Sequence, residues 1–190
     1  MTATPPARSA GKPRKRATAR HRAARLAAVQ ALYAMELGGH DAAHATAMAL
    51  AGGRGEAAAP AAADRELCAD LVRGTAARQA DLDAALAPCL GGRSLARLEI
   101  LLRCILRAAT WELIARPDID APLSIAEYVA VADVFFTGRE PQLVNAILDQ
   151  VARTARRDPG LLTGAGEPAL PPRETPASAP EPALAAEEPD

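Results

Sequence analysis

Apolar residues in this chain recur at helical spacing. Ala and Leu dominate, both strong helix formers, and no stretch alternates β-branched with polar residues at period two. A first helix is predicted from a Thr18 cap to about Leu37, where Gly38-Gly39 stops it. Its apolar stripe is Leu26, Val29, Tyr33 and Leu37, at i, i+3, i+7 and i+11. A short second helix covers roughly 41–50. A third begins near Asp64, runs past Leu67, Leu71 and Val72 into Leu82 and Leu86, and bends near Gly74. It ends before Pro88 and Gly91-Gly92.

The next helix is capped by Ser94 and reaches about Ala115. Leu95, Leu98, Leu101, Leu102, Ile105, Leu106, Trp111, Leu113 and Ile114 cover most of its circumference, which marks a central helix. Its polar strip is Glu99, Arg103 and Arg107, with Thr110 beside them; on such a helix the arginines are expected to pair with an internal acid or reach a surface groove. Pro117 breaks the chain, Pro122 suits the first turn of a helix to Phe136, and Pro141 opens a last helix to about Arg157. That helix buries Leu143, Val144, Ile147, Leu148 and Val151 and turns Gln142, Asn145, Asp149, Arg153 and Arg156 outward. The fold class is therefore all-α: a compact bundle of six to seven helices in two sub-bundles, the smaller one N-terminal.

Composition adds two tails and a loop. Residues 1–17 form a basic arm and 158–190 an acidic, Pro/Ala-rich tail, both too poor in apolar residues to offset the entropy of ordering. The helical domain is 18–157, with a flexible Gly/Ala loop over 51–63. The net charge of -1 conceals this division. Arg8, Lys12, Arg14, Lys15, Arg16, Arg20, Arg22 and Arg25 meet no acid before residue 26. Beyond 157, Asp158, Glu167, Glu174, Glu181, Glu187, Glu188 and Asp190 face Arg173 alone. Total charge is thus a poor guide to partners.

Several function classes lose support. No apolar run approaches the roughly 20 residues that span a bilayer, and the basic start carries no signal-peptide core behind it. Read as a transit peptide it would be Arg-rich and acid-free, but it runs directly into an amphipathic helix. A cytoplasmic protein is expected. Cys68, Cys89 and Cys104 form no CxxC and read as small buried apolar residues. His40 and His44 share a helix face, but no Cys, Asp or Glu pattern joins them as metal ligands. No phosphate-binding glycine loop and no GxSxG nucleophile turn is present. Neither enzymatic activity, nor a metal, nor a cofactor is expected.

The basic N-terminus is the strongest physical signal. If the first helix extends upstream, Arg14, Thr18, His21 and Arg25 fall on one line, with Lys15 and Arg22 beside it. Such a stripe attracts nucleic-acid phosphates, and guanidinium planes stack on unpaired bases, which favours single-stranded RNA. A solubilising tail balanced by the acidic one is the alternative.

Four collinear segments then give a family resemblance. Arg25-Leu26-Ala27-Ala28-Val29-Gln30-Ala31-Leu32-Tyr33 resembles the arginine-rich first helix of the NusB family of transcription antitermination factors. Ile105-Leu106-Arg107-Ala108-Ala109 with Trp111-Glu112-Leu113, and Ile125 to Val129 through Phe135-Phe136, are similar to its next helices. Leu143-Val144-Asn145-Ala146-Ile147-Leu148-Asp149 is similar to its Phe-Val-Asn-x-x-Leu-Asp signature. The matches span about 20–155.

The resemblance implies an all-α fold without enzymatic activity. It also implies binding of boxA single-stranded RNA from ribosomal RNA operons together with NusE, a small-subunit ribosomal protein, alongside other Nus factors and RNA polymerase. Arg14, Lys15, Arg16, Arg20, His21, Arg22 and Arg25 would hold the RNA, with Arg139 and Gln142 extending that surface. Tyr33 and the exposed side of the central helix, at Glu99, would face NusE. A homodimer stays open.

The chain departs from the family pattern at several positions. Leu102 stands where the family has an acid that helps hold NusE. Ala126 replaces an Asn, Ala130 a charged residue, Asp133 a base and Leu143 a Phe. The alternative these departures support is a helical adaptor that kept the fold but lost RNA or NusE specificity.

Overall fold

The computed structural model describes residues 13–52 and 63–157, with side chains from 17 to 52 and 63 to 156. The 1–12 part of the basic arm, most of the 51–63 loop and the acidic tail lie outside the described residues. Seven α-helices are described: α1 (Pro13–Gly38), α2 (Ala42–Leu50), α3 (Arg65–Ala77), α4 (Gln79–Leu86), α5 (Ile100–Ala115), α6 (Ala121–Phe135) and α7 (Glu140–Arg157). Short 3-10 turns cover Ala87–Cys89 and Leu95–Arg97, and no strand occurs among the described residues. The all-α expectation holds. No described helix is long and apolar enough to cross a membrane.

Helix α1 begins at Pro13, a residue whose fixed φ suits a first turn, so Thr18 is interior to the helix and not its cap. It ends as read, with Gly39 in the left-handed region at φ +63°. The predicted stripe is only half right. Leu26 and Val29 are buried, but Leu37 is 56% exposed. The buried face is built instead from Ala23, Ala24, Ala27, Ala28, Ala31 and Leu32. Alanines carry little weight in a stripe of large residues, yet they let α2, α3, α5 and α6 all pack on this one helix.

Asp41 and Asp64 cap α2 and α3, accepting from the backbone N–H of His44 at 2.9 Å and of Leu67 at 3.1 Å. The predicted third helix is two helices, broken at Arg78 (φ -120°, ψ 25°) and not at Gly74. Gly74 matters for packing instead. A Cβ there would lie 2.0 Å from the Trp111 ring, so its absence lets α3 approach α5.

Ser94 does not open α5. Leu98 is extended (φ -71°, ψ 151°), and α5 starts at Ile100. Arg103 supplies the reason, since its Nη1 donates to the carbonyls of Ala96 (3.2 Å) and Leu98 (3.1 Å) and so satisfies the backbone of the break. From there α5 is the central helix expected, packed against α1, α3, α4, α6 and α7. Leu102 is 4% exposed, a core residue that presents nothing to a partner. Helix α7 keeps its predicted faces, with Val144, Ile147, Leu148 and Val151 buried, and Leu143 half-buried against the core.

Candidate nucleic-acid interface

The first turns of α1 carry cations at the positive end of the helix dipole, with no acid in the first turn. The side chains of Arg14, Lys15 and Arg16 lie outside the described residues. The next three candidates are surface residues: the side chains of Arg20, His21 and Arg22 are 56%, 49% and 53% exposed.

Acids from two neighbouring helices hold this row. Asp64, capping α3, lies 3.6 Å from Arg20 Nη2 and 3.9 Å from His21 Nε2, and its backbone N–H donates to the Arg20 carbonyl at 3.2 Å. Glu127 of α6 takes Arg22 in a fork: Nε donates to Oε2 at 2.9 Å and Nη2 to Oε1 at 2.7 Å. That bond holds the Arg22 guanidinium above its ordinary pKa.

Arg25 is a correction. Its side chain is 3% exposed and faces the interior, because one helical step past Arg22 the face of α1 turns under α5 and α6. Nε lies 3.1 Å and 3.0 Å from the two Glu112 oxygens, and Nη2 donates at 2.5 Å. Ser124 Oγ and the Tyr128 hydroxyl complete the Glu112 carboxylate at 3.0 Å each, with the Arg25 guanidinium 5.9 Å above the Tyr128 ring. Burial by itself would lower the Arg25 pKa, but the Glu112 bonds outweigh it and keep it raised. Burial, then Glu112, pushes the Tyr128 hydroxyl well up. Sequence reasoning placed Arg25 among the RNA contacts and missed its partner Glu112. The pairing signal was available as Glu112, an acid set off the Arg103-Arg107 strip among the apolar residues of a central helix.

Arg139 and Gln142 are exposed at the start of α7. Among the described residues, no hydrogen bond or ion pair joins their side chains to α1. The partner-facing candidates lie toward the other end of α1. Tyr33 is half-buried, and Glu99 is exposed, its carbonyl accepting from Arg103 N at 3.0 Å. Between them sits a second cluster. Glu36 accepts from Arg103 Nη2 and, at 3.1 Å, from Arg107 Nη1, while Asp83 forks Arg107 at 2.7 Å and 2.8 Å. The expectation that Arg103 and Arg107 pair with acids is met. A cavity of about 230 Å³ beside it is lined by Leu32, Met35, Thr75 and Cys104 along with Glu36 and Arg107.

His40 and His44 rings lie 5.1 Å apart, and no group of three or more metal-ligating side chains occurs among the described residues. Cys68 and Cys104 are buried and Cys89 half-buried, all free thiols.

Comparison with known proteins places this arrangement. The family model "NusB family" matches residues 22–153. A transcription antitermination protein NusB of Maricaulis maris is 44% identical over 141 residues, covering 72% of this chain and 88% of the relative. One from Sinorhizobium fredii is 39% identical over 160 residues, covering 82% and 97%. Among solved structures, T. maritima NusB superposes with a TM-score of 0.59 at 29% identity, covering 70% of this chain and 89% of that one.

Proposed function

The chain belongs to the NusB family, and on that premise we propose that it is a transcription antitermination factor. It binds boxA-type single-stranded RNA through the first turns of α1, Arg14 to Arg16 with Arg20, His21 and Arg22, and works in the cytoplasm. Arg139 and Gln142 at the start of α7 extend that surface. NusE docks beside Tyr33 and Glu99, and the complex joins other Nus factors on RNA polymerase. It acts by binding, and Arg25 enters only as the buried support of the helix. The observation that carries this reading is the exposed row Arg20-His21-Arg22, held to acids of α3 and α6 in a chain whose relatives are antitermination proteins.

The test is binding of boxA RNA, with and without NusE, across a salt series. About six to eight phosphate contacts on a single strand lower affinity by roughly 300-fold to 2,000-fold between 50 and 200 mM salt. Flat affinity over that range contradicts the assigned surface. A second reading, an adaptor that kept the fold but lost RNA or NusE specificity, draws on the exposed Ala126 and Asp133 of α6. Failure of the purified chain to recover NusE would favour it. Size measurement of the free chain decides whether it forms a homodimer.

A further inference from the structure

A buried carboxylate beneath an RNA-binding surface calls for a reason. Glu127 is 5% exposed, yet it sits beside the face that meets phosphates, where a negative charge repels the ligand. Stability is a weak reason for it. Its partner Arg22 is 53% exposed, so solvent screens the pair, while the carboxylate still bears the penalty of burial. The geometry of the pair suggests a different use. Both carboxylate oxygens are committed to the guanidinium through Nε and Nη2, which leaves the Nη1 edge and the flat faces of Arg22 for another ligand. Glu127 is itself fixed: Oε2 lies 4.0 Å from Arg25 Nη1, and Arg25 is locked by Glu112, Ser124 and Tyr128.

Resting on the reading that α1 binds RNA, we propose that Glu127 is a positioning residue for recognition. It holds the Arg22 guanidinium plane in one orientation, so that an unpaired base stacks on its face and a phosphate oxygen accepts from Nη1. An arginine left free meets phosphates in many orientations and loses side-chain freedom on each encounter; one already forked to a fixed acid has lost it before the RNA arrives. The carboxylate therefore trades charge attraction for discrimination.

The experiment compares boxA RNA with an unrelated single strand of equal length, using the full chain and Glu127→Gln. Gln keeps the shape but loses the charge and the second acceptor of the fork. Affinity for boxA RNA should fall about fivefold to tenfold. Affinity for the unrelated strand should hold or rise, because an acid has left the surface. In an Arg22→Ala background the same change should add no further loss of discrimination. Equal weakening toward both RNAs, or an undiminished effect without Arg22, overturns the proposal. If Glu127→Gln fails to fold, Arg22→Lys substitutes for it: a lysine keeps the charge and cannot fork, so discrimination should fall while the salt slope stays at the parent value, and retained discrimination overturns the proposal. A parent chain that binds neither RNA removes the RNA reading itself, a result distinct from these.

Discussion

Two ion clusters tie α1 to α5, one toward each end, and they use the same chemistry at different depths. At the Arg25 end, arginine and Glu112 are 3% and 0% exposed, and every oxygen of the carboxylate is matched. At the Glu36 end, Glu36, Arg103, Arg107 and Asp83 are 26%, 15%, 10% and 34% exposed, and two arginines share the acids of α1 and α4. The first cluster is sealed and can only fix how α1 lies on α5 and α6. The second faces the surface where a protein partner is proposed to dock. A cation near a candidate binding face is therefore not by that fact open to a ligand: Arg25 is buried as a support, while Arg22, three residues before it, stays exposed.

Breaking the sealed cluster gives the largest effect. Glu112→Ala leaves a buried guanidinium, Ser124 and Tyr128 without their acceptor, and unfolding by urea should show a loss of about 3–5 kcal/mol. Glu36→Ala should cost about 1 kcal/mol in the same measurement, since Arg103 keeps its backbone acceptors and Arg107 keeps Asp83. Equal losses would erase the distinction between the clusters. Between them, Thr110 is fully buried, and among the described residues Oγ1 has no hydrogen-bond partner. Thr110→Val should raise stability by about 1 kcal/mol, through removal of an unmatched hydroxyl.

A chemical probe sharpens the same contrast. Burial, reinforced by Glu36, pushes the Cys104 thiol up to about 12, and burial pushes Cys68 up to about 11. Burial raises the Cys89 thiol as well, but Cys89 is only half-buried and the other two are closed off and almost wholly protonated at pH 8, so Cys89 should react first with a thiol reagent. Removing the Glu36 charge lowers the Cys104 value, and labelling of Cys104 in Glu36→Ala should quicken while Cys68 stays as it was.

Much of this was legible in the sequence, and particular residues show where it stopped. Helical periodicity and the prolines at 122 and 141 placed α6 and α7 to within a residue, because both signals are local. The start of α5 was missed, since the side chain of Arg103 satisfies carbonyls of Ala96 and Leu98 ahead of the helix, and such a contact leaves no periodic trace. The alanine face of α1 went unread for a related reason: small residues mark close approach only once the neighbours are known. At the candidate interface, the row of cations was plain, but the acids that hold it come from α3 and α6, far away in the chain. Arg25 was misplaced because charge alone does not tell which face of a helix is covered.

The most direct test of the contrast between Arg22 and Arg25 is the salt dependence of RNA binding in Arg22→Ala. If Arg22 meets a phosphate, the slope of log affinity against log salt should become shallower by about 0.7, the value for one contact on a single strand. A slope equal to that of the parent chain would contradict the assignment of Arg22 to the RNA surface.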